Sequence, residues 1–249
     1  MSQPSKPTVL VVDDEIDICR NLADILGDLD YEVDTACSGK AALELAHNKR
    51  FDVALLDLKM PGMDGVTLYR RLRKVCPSTV AVIVTAYASD PTTHEALSAG
   101  AAQVLSKPVD LSMLLSIVRD AVGQPLVLVV DDDESLCESL WDLLRERNLR
   151  VGMVHTERAA VEALADQNFQ VVLVDLRLPG GDGRTVLDVL QRSYPESRTV
   201  LITGHAVEFD DVVAHARNYG ADAVCCKPFD VRTLLATVER LARQTGSRA

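Results

Sequence analysis

The chain repeats itself at a fixed interval. Val9-Leu10-Val11-Val12-Asp13-Asp14-Glu15 returns as Val127-Leu128-Val129-Val130-Asp131-Asp132-Asp133-Glu134. Asp57-Leu58-Lys59-Met60-Pro61-Gly62-Met63-Asp64-Gly65 returns as Asp175-Leu176-Arg177-Leu178-Pro179-Gly180-Gly181-Asp182-Gly183. Asp13 and Asp131, Asp57 and Asp175, and Thr85 and Thr203 are each separated by 118 residues. A period of that length is too long for a solenoid repeat and suits a whole small domain. Two domains of similar size are expected, 1–123 and 124–249, joined by the very short turn Gly123-Gln124-Pro125.

With 47% hydrophobic residues, each half has enough apolar surface to bury a core without disulfides. The six cysteines lack metal-ligand or CxxC spacing, and most lie inside apolar runs, which suits small buried side chains in a reducing compartment. The net charge of −11 is shared almost equally between the halves, and no basic stripe appears. That balance disfavours nucleic acid as a direct partner and favours proteins and metal cations. The first residues, Met1-Ser2-Gln3-Pro4-Ser5-Lys6-Pro7, contain no apolar stretch of signal-peptide length, and no apolar run is long enough for membrane insertion. A soluble, cytoplasmic protein is expected.

Each half alternates short apolar runs with amphipathic segments. In the first half the pattern predicts strands near 8–12, 32–36, 52–56, 80–84 and 102–106, and helices near 15–29, 39–48, 64–75, 91–99 and 110–122. The runs at 9–12, 53–56 and 80–84 are nearly all apolar, as parallel strands covered on both faces require. Five βα units per half predict an α/β fold, a doubly wound parallel sheet with its ligand site at the carboxyl ends of the strands. The last segment of the second half has a one-sided stripe: Val231, Leu234, Leu235, Val238, Leu241 and Ala242. Its counterpart has the stripe Leu111, Leu114, Val118 and Ala121, but adds Met113, Leu115, Ile117 and Val122. The surplus reads either as a more deeply buried helix or as a surface for the other domain or a second copy of the chain.

In such a sheet Asp13, Asp14, Asp57, Thr85 and Lys107 all fall at strand ends on one edge. Three crowded carboxylates raise one another's pKa, and a hard divalent cation such as Mg²⁺ or Mn²⁺ relieves the repulsion. A carboxylate beside such a cation can attack phosphorus and form an acyl phosphate, with the ammonium and hydroxyl neutralising charge on the phosphoryl oxygens.

These residues resemble the receiver domains of two-component response regulators, once per half. The resemblance rests on the acidic pair after the first strand, the D-x-x-x-P-x-x-D-G loop, the threonine after the fourth strand and the Lys-Pro after the fifth. It implies two flavodoxin-like (βα)5 domains with strand order 2-1-3-4-5 and helices on both faces. It also implies a bacterial phosphorelay protein. Asp57 and Asp175 would be phosphoacceptors, with Thr85, Lys107, Thr203 and Lys227 contacting the phosphoryl group. Mg²⁺, or Mn²⁺ in its place, would be held by Asp14, Asp57 and the Lys59 carbonyl, with Asp13 acting mainly through water. The matching set is Asp132, Asp175, the Arg177 carbonyl and Asp131. A histidine kinase or histidine phosphotransfer protein would be the donor, and a downstream protein or a second copy of the chain the output partner. Tyr87 fits the aromatic switch position two residues after Thr85, and His205 fits it less well.

Plainer readings stand beside these. Asp64, Asp110, Asp182 and Asp230 read as helix caps. Lys59 and Arg177 either reach toward the acids or point into water. Lys227 is the only lysine beyond Lys107, which argues for a demanded point charge. The Thr–Lys spacing is 22 residues in the first half and 24 in the second, so the activation-reporting face of the second domain is expected to be altered. A Mg²⁺-dependent aspartyl-phosphate phosphatase is the rival reading, weakened by Lys59 and Arg177 where that chemistry wants a second acid. The receiver portion of a larger hybrid kinase or regulator is another. A conventional enzyme is not expected, since the chemistry is self-directed. No output segment is expected beyond the second domain's last helix.

Overall fold

The computed structural model describes residues 6–86, 91–179, 181–204 and 220–245. It divides into two units after Gln124, and the last helix of the first unit ends at Gly123. The first unit runs β1 (Thr8–Val12), α1 (Ile16–Asp28), β2 (Glu32–Ala36), α2 (Gly39–Asn48), β3 (Val53–Leu56), α3 (Gly65–Val75), β4 (Val80–Thr85), α4 (Pro91–Ser98), β5 (Gln103–Ser106) and α5 (Leu111–Gly123). The sheet order is β2-β1-β3-β4-β5, every pairing parallel.

The second unit runs β6 (Leu126–Val130), α6 (Glu134–Arg145), β7 (Arg150–Val154), α7 (Glu157–Asp166), β8 (Val171–Asp175), β9 (Arg177–Leu178), β10 (Gly181–Asp182), α8 (Gly183–Ser193), β11 (Arg198–Thr203), β12 (Ala223–Cys226) and α9 (Val231–Thr245). Its main sheet, β7-β6-β8-β11-β12, repeats the 2-1-3-4-5 order. The place of its fourth helix, and the longer loop expected there, lie outside the described residues, as do Tyr87 and His205.

Strand alternation explains why the runs are apolar throughout. In β1, Leu10 and Val12 enter a cluster with Ala54, Leu56, Ala81 and Ile83, covered by Ala42, Leu68, Leu72 and Ala96 of α2, α3 and α4. Val9 and Val11 point the other way, joining Val53, Leu55, Val82 and Val84 under Leu22 and Leu26 of α1 and Leu114 and Val118 of α5. The second unit packs α6 and α9 on one face and α7 and α8 on the other. Of the surplus apolar residues on α5, Leu115, Ile117 and Val122 pack partly against their own unit's core. Met113 remains 46% exposed. The surplus is chiefly a more deeply set helix.

The proposed caps are observed. The side chains of Asp64, Asp110, Asp182 and Asp230 accept from Thr67 N (2.8 Å), Met113 N (3.1 Å), Arg184 N (2.9 Å) and Thr233 N (2.8 Å). Each satisfies an N–H that the first helical turn leaves unpaired. All six cysteines are free thiols; Cys19, Cys76 and Cys137 are buried, Cys225 and Cys226 are intermediate, and Cys37, contrary to the general expectation, is exposed.

Trp141, the sole tryptophan, is fully buried in α6 beside the equally buried Leu140. Leu140→Ala leaves a cavity against β6 and is expected to cost about 2–5 kcal/mol. The check is a lower urea midpoint followed by Trp141 fluorescence.

Candidate functional site

Parallel pairing brings the carboxyl ends of β1, β3, β4 and β5 to one edge of the first sheet. Val12 and Leu56 are register partners, so Asp13 and Asp57, each one residue further on, emerge side by side. Asp57 N–H donates to Val12 O at 2.9 Å, which fixes that spacing. Lys107 enters from the neighbouring strand, its N–H donating to Thr85 O at 2.9 Å. Its Nζ lies 2.6 Å from Asp13 Oδ2 and 3.5 Å from Asp57 Oδ1. Asp13 and Asp57 are only 3% and 6% exposed, whereas Asp14 faces solvent. Thr85 is fully buried at the end of β4.

The second unit repeats the arrangement with one difference. Lys227 N–H donates to Thr203 O at 2.7 Å, and Lys227 Nζ lies 2.6 Å from both Asp131 Oδ2 and Asp175 Oδ2. The lysine therefore bridges the acids here, where Lys107 favours one of them. Asp175 Oδ1 also accepts Arg177 N–H at 2.8 Å.

Burial pushes the Asp57 carboxyl up; Lys107 opposes this and Asp13 reinforces it. Burial likewise pushes Asp131 up, against the Lys227 hydrogen bond. Burial alone would pull both ammonium groups down, but the facing carboxylates outweigh it and hold Lys107 and Lys227 above the usual lysine value.

Asp13, Asp14 and Asp57 each offer a carboxylate oxygen within 4.8 Å of the others, and so do Asp131, Asp132 and Asp175. An all-oxygen donor set of this spacing, with two buried acids and one open to solvent, fits a hard divalent cation. Lys59 and Arg177 are exposed two residues beyond Asp57 and Asp175. A recess of about 490 Å³ lined by Asp14, Leu58, Lys59, Met60, Pro61 and Thr92 opens beside the first site.

The acceptor loop returns tightly to its strand. A Cβ on Gly65 would stand 2.2 Å from Asp57 O, and one on Gly183 2.2 Å from Asp175 O. Glycine ends the D-x-x-x-P-x-x-D-G motif because the helix begins against the acceptor's own carbonyl.

Sequence reading singled out the acids and lysines that meet here, but missed two neighbours in the second unit. His155 Nδ1–H donates to Asp131 O at 2.9 Å, and Glu157 accepts from the acceptor loop. Only the 118-residue offset hinted at them, since it places His155 and Glu157 opposite Cys37 and Gly39.

Residues 9–119 and 127–239 each match the response regulator receiver domain. The chain belongs to this family. It is 36% identical over 238 residues to a response regulator receiver protein of Anaeromyxobacter sp. (strain Fw109-5), covering 95% of this chain and 96% of that one. It is 38% identical over 115 residues to the transcriptional regulatory protein ZraR of Escherichia coli K12, spanning 46% of this chain and only 26% of ZraR. A solved CheY-like receiver domain protein of Methanospirillum hungatei JF-1 is 33% identical, covering 47% of this chain and 94% of its own, with a TM-score of 0.46. The protein is a tandem receiver of a two-component response regulator, a family in which aspartate is phosphorylated.

Because the fold raises the Asp57 pKa above 3.8, ionising it costs stability, and that cost appears as pH rises through the folded-state value. Asp57→Asn is expected to raise the thermal midpoint of the metal-free protein at neutral pH. The gain should fade below pH 3.8, where the acid is protonated in folded and unfolded chains alike. Calorimetric melts across that range check it.

Proposed function

We propose that Asp57 and Asp175 are the phosphoacceptors, charged by a histidine kinase or histidine phosphotransfer protein. One observation carries the reading: a lysine ammonium among three clustered carboxylates, two of them buried, occurs at equivalent places in both units. An Asp57 carboxylate oxygen attacks phosphorus of a phosphohistidine, the bond to the imidazole nitrogen breaks, and an acyl phosphate forms. Lys107 and Thr85 donate to the phosphoryl oxygens as their charge is redistributed. Asp14, Asp57 and the Lys59 carbonyl would hold Mg²⁺ or Mn²⁺, with Asp13 acting through water. Asp132, Asp175, the Arg177 carbonyl and Asp131 would do so in the second unit. When bound, the cation would neutralise charge on the crowded carboxylates and phosphoryl oxygens.

The chemistry is self-directed: hydrolysis of the acyl phosphate returns the carboxylate, and no separate substrate is turned over. Output is a changed affinity for a downstream protein or a second copy of the chain, through Tyr87 in the first unit and less readily through His205 in the second. A cytoplasmic setting without direct nucleic-acid contact accords with the net charge of −11. Among the described residues no helix is long and apolar enough to cross a membrane.

Incubation with acetyl phosphate and Mg²⁺, followed by intact-mass and peptide mapping, tests the assignment. Wild type is expected to take one phosphoryl group per unit, and Asp57→Ala and Asp175→Ala to lose one each. Lys107→Ala is expected to slow uptake at Asp57 by about 10²-fold. Modification that persists in the double aspartate variant would place the acceptor elsewhere.

A further inference from the structure

The two acceptor loops are fastened differently, and the difference centres on a carboxylate that the phosphotransfer chemistry does not use. In the second unit β9 and β10 form a small antiparallel hairpin, with Gly181 opposite Leu178 and Asp182 opposite Arg177. Glu157, the first residue of α7, reaches this hairpin, and its Oε2 accepts Asp182 N–H at 2.7 Å. The approach is so close that a Cβ on Gly181 would stand 2.3 Å from the same oxygen. Glycine at 181 is therefore a condition of the contact. Arg177, across the hairpin from Asp182, donates its N–H to Asp175 Oδ1 at 2.8 Å. Glu157 thus holds one strand of the hairpin, at Asp182, and the acceptor Asp175 holds the other, at Arg177.

The first unit lacks this device. At the same offset stand Gly39 and Met63, and a Cβ on Gly39 would meet Met63 Sδ at 2.8 Å. Large and small partners have changed places: a thioether covers a glycine in one unit, and a carboxylate covers a glycine in the other. The described loop between Asp57 and Asp64 forms no hairpin. A thioether contact is adaptable and non-directional, whereas a charge-assisted hydrogen bond fixes both distance and angle.

We propose that Glu157 is a positioning residue: it orders the β9–β10 pair so that the Arg177 carbonyl is already placed for the divalent cation at Asp131, Asp132 and Asp175. The inference rests on the cation site of the proposed function. A loop ordered before the cation arrives does not lose conformational entropy at the moment of binding. Outer groups that hold a ligating atom commonly contribute about 10–100-fold to metal affinity. Lys227, at 2.6 Å from both Asp131 and Asp175, competes with the cation for the same oxygens, so a pre-placed carbonyl ligand matters more in this unit.

Amide NMR of the full chain through a Mg²⁺ titration reads the sites separately, at Gly181 and Gly183 for the second and at Gly62 and Gly65 for the first. Glu157→Ala is expected to raise the second-site Kd about tenfold and leave the first unchanged. Glu157→Gln is expected to restore it, because the amide oxygen still accepts the Asp182 N–H. Gly181→Ala, which displaces the carboxylate without removing it, is expected to match Glu157→Ala. An unchanged second-site Kd in Glu157→Ala, or in Gly181→Ala should the first variant not fold, overturns the proposal. A Gln variant as weak as the Ala variant also overturns it, since charge attraction would then replace positioning. Absence of any wild-type Mg²⁺ response at Asp131, Asp132 and Asp175 overturns the cation reading of that unit as well, so the two failures are told apart.

Discussion

Carboxylates and a lysine held at the carboxyl edge of a parallel sheet set the terms for the rest of each unit. The runs at 9–12 and 53–56 are apolar on both faces because helices cover both, so Asp13 and Asp57 are the first polar side chains met where β1 and β3 leave the sheet. Asp13 and Asp57 leave at adjacent places because Val12 and Leu56 are register partners, and Lys107 reaches them because its main chain is tied to Thr85. Buried acids this close carry a desolvation penalty that the lysine only partly offsets, so that Asp57 in the first unit and Asp131 in the second are both held above the usual aspartate value. That residual cost is stability held in reserve at a functional site, the usual exchange where activity needs an unfavourable arrangement of charge.

One scaffold has been completed in two ways. Both units need glycine where α3 and α8 begin, since each helix starts against the carbonyl of the acceptor aspartate. Beyond that requirement they diverge. Lys227 spans both acids where Lys107 favours one, and the loop fastening changes from thioether to carboxylate. The same set of acids is therefore held by different contacts in the two units.

Much of this was legible in the residues. The 118-residue offset, the all-apolar runs and the aspartates that end them lead to two doubly wound sheets and to the clustered acids. The helix caps follow from Asp64, Asp110, Asp182 and Asp230 standing just before helical stripes. The surplus on α5 was ambiguous, because an apolar residue at the edge of a helical stripe is compatible with deeper burial or with an exposed face. Packing decided mainly for burial, with Met113 the exception. His155 and Glu157 were illegible, since a histidine or glutamate after a strand has many uses and its partner lies over twenty residues away.

The sequence by itself determined what recurs locally: strand and helix periods, capping side chains, the glycine after each acceptor loop and the identity of the acids and lysines. These are written in short-range pattern because backbone geometry and solvent exposure act over a few residues. Only the tertiary structure decided which oxygen each lysine meets, how deeply each acid is desolvated and what fastens each acceptor loop. Those depend on register and close packing between distant segments, where a displacement of an ångström turns a bridging lysine into a one-sided one.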